Sequence, residues 1–269
     1  MNDKIVEIKN LTKRFGEFTA VNSISYSVRK GEVFGLVGPN GAGKTTTIKI
    51  LTTLLPATSG EALIGGYNVS HSASKVRRII GYVPQLLSAD GSLTGYENLL
   101  VFAKLYDIPY KEREKRIIDS LHFMGLSDSA GKLVKSYSGG MIRRLEIAQA
   151  VLHKPLVLFL DEPTVGLDPV ARETVWDYVK VLAENGTTVL MTTHYMEEAD
   201  AMCSRIAIMN KVNIAAIGTP ADLKKSIGDA DANLNKVFEY YSGKTLESEE
   251  PGGNFKDVSR TRRVARRLG

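Results

Sequence analysis

Cysteine is almost absent from this 269-residue chain, whose only cysteine is Cys203. A single cysteine cannot form an internal disulfide, and it excludes a zinc site built from several cysteines. This usage is typical of a protein kept in a reducing compartment. We interpret Cys203 as a small buried apolar side chain.

Long apolar runs are also missing. No uninterrupted stretch approaches the roughly 20 residues that a membrane-spanning helix needs, and Met1–Lys4 lacks the apolar stretch of a signal peptide. With 43% apolar residues, the chain can still bury a globular core. Any function at a membrane would therefore need a separate membrane-spanning partner.

A dominant charge sign is missing from most of the chain. The net charge is +5, with 35 Lys and Arg against 30 Asp and Glu, but five of the arginines lie in the final ten residues. Without those five, basic and acidic residues are equal in number, so the composition does not indicate a nucleic-acid-binding surface. We interpret the arginines as a solvated tail; contact with anionic lipid or a membrane partner is the alternative.

Strand and helix patterns alternate along the chain and predict an α/β fold. Two early strands open it, and a buried strand then leads into a glycine-rich loop. The predicted elements are strands around Ile5–Leu11, Phe18–Val28, Glu32–Val37, Gly60–Val69, Ile79–Gln85, Leu156–Leu160 and Thr187–Thr192, and helices over Thr45–Leu55, Gly95–Leu105, Tyr110–Met124, Gly139–Leu152 and Val170–Glu184. From Asp229 onward the apolar density falls, which predicts a linker and basic tail over 229–269.

The glycine-rich loop has the pattern G-x-x-x-x-G-K-T, placed between a buried strand and a helix. Glycines let the backbone approach phosphates closely, and the helix N-terminus favours anions. Lys44 would add a charge for the β- and γ-phosphates, and Thr45 a hydroxyl for Mg²⁺. The residues predicted to bind nucleotide here are Gly38, Pro39, Asn40, Gly41, Ala42, Gly43, Lys44, Thr45 and Thr46.

Two carboxylates, Asp161 and Glu162, follow the apolar strand Leu156–Leu160. Side chains alternate along a strand, so the two are expected to have different roles. Asp161 suits the Mg²⁺ site, and Glu162 suits a general base that accepts a proton from the attacking water. The alternative is an acidic turn before Pro163 with no catalytic role.

The segment Tyr137–Met141, followed by Arg143 and Arg144, resembles the signature of ATP-binding cassette (ABC) proteins. Ser138, Gly139 and Gly140 would begin a helix and form a second anion site. The resemblance covers about residues 3–226 and is similar to the drug-resistance exporter branch, although Tyr137 and Met141 depart from the commoner signature. It implies a P-loop NTPase (RecA-like) parallel-sheet core with an N-terminal antiparallel β-subdomain, within a domain over 1–228. A helical subdomain would be inserted at about 86–150.

Four further residues match motifs of this family. Gln85 would reach Mg²⁺ or water, and Asp168 matches the turn after the carboxylate pair. His194 matches the switch histidine, which would hydrogen-bond the γ-phosphate. Phe15 matches the aromatic residue that stacks on adenine, although an aromatic residue near a first strand is more often part of the core.

The resemblance implies an ATPase subunit that powers export of a drug-like, lipid or other hydrophobic compound. Its partners would be a separate membrane-spanning permease and a second copy of itself, at the cytoplasmic face of the membrane, with no nucleic acid. Lys44, Glu162 and His194 would be catalytic, with ATP and Mg²⁺ bound. A soluble cassette ATPase acting on nucleic acid or ribosomes is the first alternative, and a non-enzymatic module with a degenerate site is the second.

Overall fold

The computed structural model describes residues 3–229 and 232–242. Within these residues the chain forms ten strands and nine α-helices. The strands are β1 (Lys4–Phe15), β2 (Phe18–Arg29), β3 (Val33–Val37), β4 (Ser59–Ile64), β5 (Tyr67–Asn68), β6 (Ile80–Val83), β7 (Val157–Asp161), β8 (Thr188–Thr193), β9 (Arg205–Asn210) and β10 (Asn213–Gly218). The helices are α1 (Lys44–Leu51), α2 (Ala73–Ile79), α3 (Gly95–Leu105), α4 (Tyr110–Phe123), α5 (Gly139–Val151), α6 (Pro169–Glu184), α7 (Met196–Met202), α8 (Pro220–Ser226) and α9 (Leu234–Ser242).

The N-terminal sheet is antiparallel, with the strand order β2-β1-β4-β5. Strands β1 and β2 form a long hairpin that ends with Phe15 opposite Phe18. Apolar side chains such as Val6 and Val28 are fully buried between this sheet and the rest of the domain. The prediction of an N-terminal antiparallel β-subdomain is confirmed.

The second sheet has the order β10-β9-β3-β8-β7-β6. Its strands from β9 to β6 pair in parallel, and β10 pairs antiparallel with β9. Strands β3, β7 and β8 are buried along their whole length, as expected when helices cover both faces of a parallel sheet. Because the strands are parallel, Val37, Asp161 and Thr193 all end at one edge, where such folds bind ligands.

The helical subdomain is formed by α3, α4 and α5, which lie between β6 and β7 in the chain. Helix α3 begins at a capping box, in which Thr94 Oγ1 accepts a hydrogen bond from the Glu97 backbone and Glu97 Oε2 accepts one from the Thr94 backbone. Leu99, Ile117 and Leu145 are fully buried in the core that these helices share. The inserted helical subdomain of the predicted fold is confirmed.

Two predicted boundaries were wrong. Helix α1 ends at Leu51 rather than at Leu55, because Thr53 adopts a left-handed conformation with φ +64°. The predicted strand over Gly60–Val69 is two strands, β4 and β5, separated by a turn at Gly65. Helices α2, α7 and α8 and strands β9 and β10 were not predicted from the sequence.

Part of the expected C-terminal linker is a packed helix. In α9, Leu234, Val237 and Phe238 are buried and join the core that contains Leu223 of α8. These positions share one face of the helix, so its burial stabilises the segment despite the low apolar density around it. The prediction of a linker was therefore wrong for residues 234–242. The arginine-rich tail lies outside the described residues.

Cys203 is buried, as the sequence predicted. Among the helices of the described segments, none has the length and apolar character needed to cross a membrane.

Candidate active site

The glycine-rich loop connects β3 to α1 at the edge where the parallel strands end. Gly43 adopts φ +103°, and a Cβ atom there would lie 2.5 Å from the Ala20 carbonyl oxygen. A side chain at this position would be strained and would also collide with the backbone of β2. The close approach of loop and hairpin explains why a glycine precedes the lysine.

Lys44 begins α1, and only 4% of its side chain is exposed. Its Nζ donates hydrogen bonds to the carbonyl oxygens of Gly38 at 2.7 Å and Pro39 at 3.1 Å, and it lies 3.2 Å from Glu162 Oε1. Burial lowers the pKa of the Lys44 ammonium, while the negative charge of Glu162 opposes that change. The loop thus folds around a cation that stands beside the N-terminus of a helix, where anions bind favourably.

Asp161, at the end of β7, accepts two hydroxyl hydrogen bonds on one oxygen. Thr45 Oγ1 donates to Asp161 Oδ1 at 3.1 Å, and Thr192 Oγ1 from the neighbouring β8 donates to the same atom at 2.6 Å. Burial raises the pKa of Asp161, and these two hydrogen bonds act against the rise. The Thr45 hydroxyl and the Asp161 carboxylate therefore lie side by side, and both present oxygen atoms that can bind a metal ion.

This oxygen pair fits Mg²⁺, which is usually bound by one or two protein oxygens and completes its shell with phosphate and water. Residues 3–229 and 232–242 hold no group of three or more His, Cys, Asp or Glu side chains able to bind a metal.

Glu162 has different partners from Asp161. Its Oε2 accepts a hydrogen bond from His194 Nδ1 at 2.9 Å, and its Oε1 faces Lys44. Burial alone would raise the pKa of Glu162, but the His194 hydrogen bond and the Lys44 charge outweigh it and hold the pKa below its usual value. Both contacts therefore favour the ionised form of Glu162.

Asp161 and Glu162 point in different directions because of a backbone turn, not because side chains alternate along a strand. Strand β7 ends at Asp161, and Glu162 adopts φ +48°, a left-handed conformation that is uncommon for a residue other than glycine. The Glu162 backbone N–H is held there by Thr192, through its carbonyl oxygen at 3.2 Å and its hydroxyl at 3.0 Å. A backbone turn thus directs Glu162 toward Lys44 and His194.

A cavity of about 280 Å³ adjoins the glycine-rich loop. It brings together part of the predicted site, namely the loop, Gln85 and Glu162, with one aromatic residue that was not predicted. Its lining residues are Phe18, Ala20, Asn40, Gly41, Ala42, Gly43, Lys44, Thr45, Thr46, Gln85 and Glu162. Phe15, the predicted adenine-stacking residue, is 49% exposed and does not line this cavity, although it pairs with Phe18 across the hairpin.

The predicted signature residues lie outside this cavity. Ser138 caps α5, accepting a hydrogen bond from the Met141 backbone at 3.3 Å, and Asp168 caps α6, accepting one from the Ala171 backbone at 2.9 Å. A Cβ atom on Gly140 would lie 2.8 Å from Ala171 Cβ, so the glycine allows α5 and α6 to approach closely. Within one chain, the two helix N-termini are thus neighbours of each other and are absent from the cavity lining.

Thr192, Phe18 and Ala20 are residues of the site that were not predicted from the sequence. The signal for Thr192 was a threonine at the end of a strand predicted to lie in the same parallel sheet as the Asp161 strand. Phe18 gave no signal, because its position next to the loop depends on the register of the β1–β2 hairpin.

A model of the ABC transporter family matches residues 21–165, which is more than half of the chain. The chain belongs to this family. The linearmycin resistance ATP-binding protein of Bacillus subtilis is 43% identical over 224 residues, covering 83% of this chain and 72% of that protein. The daunorubicin/doxorubicin resistance ATP-binding protein of Streptomyces peucetius is 43% identical over 225 residues, covering 84% and 68%.

A solved structure of the ATP-binding subunit of an ABC transporter superimposes with a TM-score of 0.80 at 28% identity, covering 88% of this chain and 99% of that one. The chain is therefore an ATP-binding subunit of an ABC transporter, and it hydrolyses ATP to drive transport. The predicted family, fold and ATPase activity are confirmed, and the alternative of a soluble ATPase acting on nucleic acid or ribosomes is not supported.

Proposed function

We propose that this ABC ATPase binds ATP with Mg²⁺ in the cavity beside Lys44 and hydrolyses it with Glu162 as the general base. The observation that supports this most is that Glu162 contacts both Lys44, at 3.2 Å, and His194, at 2.9 Å. A bound phosphate group would replace Glu162 as the ion-pair partner of Lys44. The Glu162 carboxylate would then be available to accept a proton from water.

His194 would act beside Glu162. Because an ionised carboxylate can only accept a hydrogen bond, the 2.9 Å contact needs the imidazole proton on Nδ1. Donation from Nε2 to a γ-phosphate oxygen would need a second proton on the ring, with the ring orientation set by Glu162.

Thr45, Asp161 and Gln85 would hold Mg²⁺. When bound, the ion would neutralise charge on the β- and γ-phosphate oxygens. The two side-chain oxygens that would bind the ion, Thr45 Oγ1 and Asp161 Oδ1, are already 3.1 Å apart.

The working unit in this proposal is a homodimer with two shared sites. Ser138, Gly139, Gly140 and Asp168 lie at two helix N-termini that do not line the cavity of their own chain. Helix N-termini favour anions, so these residues would cover ATP bound by the glycine-rich loop of a second copy.

The membrane partner would be a separate permease, contacted by the helical subdomain between Asp90 and Tyr106 and by the loop before it. This surface exposes large apolar side chains: Leu86 is 81% exposed and Leu105 is 70% exposed. Contiguous exposed apolar patches mark surfaces that bind a partner, so in this proposal the two leucines belong to the permease contact. The relatives named for linearmycin and for daunorubicin/doxorubicin resistance support export of a drug-like or other hydrophobic compound, with this chain at the cytoplasmic face.

Glu162→Gln tests the catalytic assignment. The amide keeps the shape of the side chain but cannot take a proton, so turnover should fall by about 10²- to 10⁴-fold while ATP still binds. The measurements are steady-state phosphate release, ATP binding by equilibrium dialysis and size-exclusion chromatography with MgATP, in which the variant should elute as a trapped dimer.

Glu184→Gln is the matched control, because Glu184 is an exposed carboxylate at the end of α6. It should hydrolyse ATP at the wild-type rate. Unchanged turnover in Glu162→Gln would refute the assignment of the general base.

A further inference from the structure

One buried carboxylate in the described part of the chain has no role in the site described above. Glu198 lies in α7 and is only 1% exposed. Its Oε1 accepts hydrogen bonds from Thr164 Oγ1 at 2.7 Å and from Trp176 Nε1 at 2.8 Å, and its Oε2 accepts one from Thr193 Oγ1. Both carboxylate oxygens are therefore used by donors from three different segments.

Two of the three donors, Thr193 and Thr164, belong to the segments that carry His194 and Glu162. Thr193 directly precedes His194 and also accepts a hydrogen bond from the Tyr195 backbone at 3.0 Å, so it holds the backbone on both sides of the histidine. Thr164 follows Glu162 by two residues, in the turn after β7. Trp176 lies in α6, the helix that Asp168 caps.

The chemistry of this contact differs from that of core packing. A buried carboxylate costs free energy unless donors compensate it, and an apolar residue of similar volume would fill the same space without that cost. What the carboxylate provides is direction, because each hydrogen bond restrains one segment in distance and angle. Here the restrained segments are the two whose relative position sets the 2.9 Å contact between His194 and Glu162.

We infer that Glu198 is a positioning residue for ATP hydrolysis. Through Thr193 it holds the segment that carries His194, and through Thr164 it holds the turn that follows Glu162, so the His194 and Glu162 side chains stay in contact. The inference rests on the roles proposed above for Glu162 and His194. Glu198 does not hold the glycine-rich loop, since its three donors all lie after β7. Its loss should therefore slow turnover without weakening ATP binding.

The test compares Glu198→Gln, Thr193→Val and the double variant in the full chain with MgATP. The Gln oxygen can still accept from Thr164 and Trp176, but the amide nitrogen can only donate to Thr193 Oγ1, so the charge-assisted hydrogen bond is replaced by a weaker one. Thr193→Val removes the contact from the other side, together with the hydrogen bond from the Tyr195 backbone. Each variant should lose kcat by about tenfold to a hundredfold, as expected for a catalytic group displaced by up to 1 Å. The KM for ATP should change by less than about threefold.

The double variant separates this contact from general damage. If the two substitutions break one shared contact, the double variant should be no slower than the slower single variant. Val179→Ala provides the matched stability control, because Val179 is buried and lies in the same helix as Trp176 but is not a partner of Glu198. It should lower the melting temperature while keeping the wild-type kcat per folded molecule.

Three results would overturn the inference: wild-type kcat in both single variants, multiplied losses in the double variant, or a rise in KM with unchanged kcat. Glu162→Gln, measured in the same assay, keeps the two proposals apart. If Glu162→Gln is inactive while Glu198→Gln and Thr193→Val remain fully active, only the role of Glu198 fails. If Glu162→Gln is fully active, the proposed catalytic site itself fails.

Discussion

At the residue scale, neighbouring side chains of one type acquire different properties from their surroundings. Asp161 and Glu162 are adjacent in the chain, yet burial raises the pKa of Asp161 whereas His194 and Lys44 hold the pKa of Glu162 below its usual value. The difference follows from partners: hydroxyl groups face Asp161, and two nitrogen groups face Glu162. The environment of each carboxylate, rather than its residue type, therefore sets the direction of its pKa shift.

Two phenylalanines at the end of the β1–β2 hairpin compete for the adenine-stacking role. Phe15 matches the family position and has the Lys13 ammonium 4.9 Å from its ring centre, whereas Phe18 lines the cavity. We predict that Phe15→Ala weakens ATP binding by the value of one base stack, about 1–3 kcal/mol or roughly 5- to 150-fold in Kd. Phe15→Tyr, which keeps the ring, should bind ATP normally in a fluorescent-nucleotide titration.

Phe18→Ala is the comparison variant for this prediction. It should change the Kd for ATP less than Phe15→Ala does. The opposite order of effects would transfer the stacking role to Phe18 and show that the family position is not used in this chain.

At the scale of elements, α5 holds the loop that leads from β6 into the helical subdomain. Arg143 donates to the carbonyl oxygens of Pro84 at 2.7 Å and Gln85 at 2.8 Å. Glu146 accepts hydrogen bonds from the Ser88 hydroxyl at 3.1 Å and the Ala89 backbone at 3.3 Å, and it pairs with Arg143 at 3.0 Å. The loop carrying Gln85 is thereby attached to the helix that Ser138 caps.

We predict that Arg143→Leu lowers the free energy of unfolding by about 3–5 kcal/mol, because it leaves the buried Glu146 charge without its cation. Arg143→Leu combined with Glu146→Leu should be destabilised by less than the sum of the two single effects. Urea denaturation followed by circular dichroism measures each value. Arg116→Leu, which breaks an exposed ion pair with Glu112, should cost less than about 1 kcal/mol; a comparable cost for Arg143→Leu would contradict the argument.

His153 makes the junction between α5 and β6 sensitive to acid. Its Nε2 lies 2.9 Å from the Ile80 carbonyl oxygen, its ring stacks on Tyr106 at 3.7 Å, and its buried Nδ1 has no hydrogen-bond partner within the described residues. Burial lowers the pKa of His153, although the Ile80 hydrogen bond opposes the change. A proton on Nδ1 would therefore be buried without an acceptor.

The sign of the pH dependence follows from this depressed pKa. Below about pH 6.5 the unfolded chain binds a proton at this histidine while the folded chain does not, so stability falls as the pH drops from about 6.5 toward the folded pKa. We predict that His153→Phe removes this part of the slope in urea denaturation between pH 7 and pH 5. Replacing the exposed His71 with glutamine should leave the slope unchanged, and equal slopes for wild type and His153→Phe would exclude His153 as its source.

At the scale of the whole molecule, the separation of the signature from the cavity is the main consequence of the fold. Lys44 and Glu162 line the cavity of their own chain, whereas Ser138 does not. A second copy related by two-fold symmetry could supply Ser138 to each cavity. The proposed dimer then has two sites, each built from parts of both chains.

This arrangement predicts complementation between inactive variants. A mixture of Lys44→Ala with Ser138→Arg should recover roughly a quarter of the wild-type ATPase rate, because half of the randomly paired dimers are mixed and each keeps one intact site. Mixing Lys44→Ala with Glu162→Gln is the control and should recover no activity. Lys44 and Glu162 of one chain belong to the same site, so in a mixed dimer each chain inactivates the site that contains its own glycine-rich loop. Lack of recovery in the first mixture, with mixed dimers shown by native mass spectrometry, would refute shared sites.

The amino-acid sequence by itself determined the family, the α/β fold and the contiguous part of the site. The segment Gly38–Thr45 could be recognised because its function depends on backbone conformation and on one lysine within a single loop. The carboxylates at the end of β7 could be recognised because they directly follow an apolar strand, and Ser138 and Asp168 because a helix cap is specified by adjacent residues.

Only the tertiary structure decided which distant residues meet. The contacts of Thr45 with Asp161 and of Glu162 with His194 join positions 116 and 32 residues apart, and they exist because parallel strands end at one edge of the sheet. The buried position of Glu198 and the packing of α9 likewise depend on neighbours from other elements. Apolar periodicity shows which face of an element is buried but not which element covers it, and a hydrogen bond between distant elements leaves no periodic signal, whereas a loop or helix cap is specified by adjacent residues.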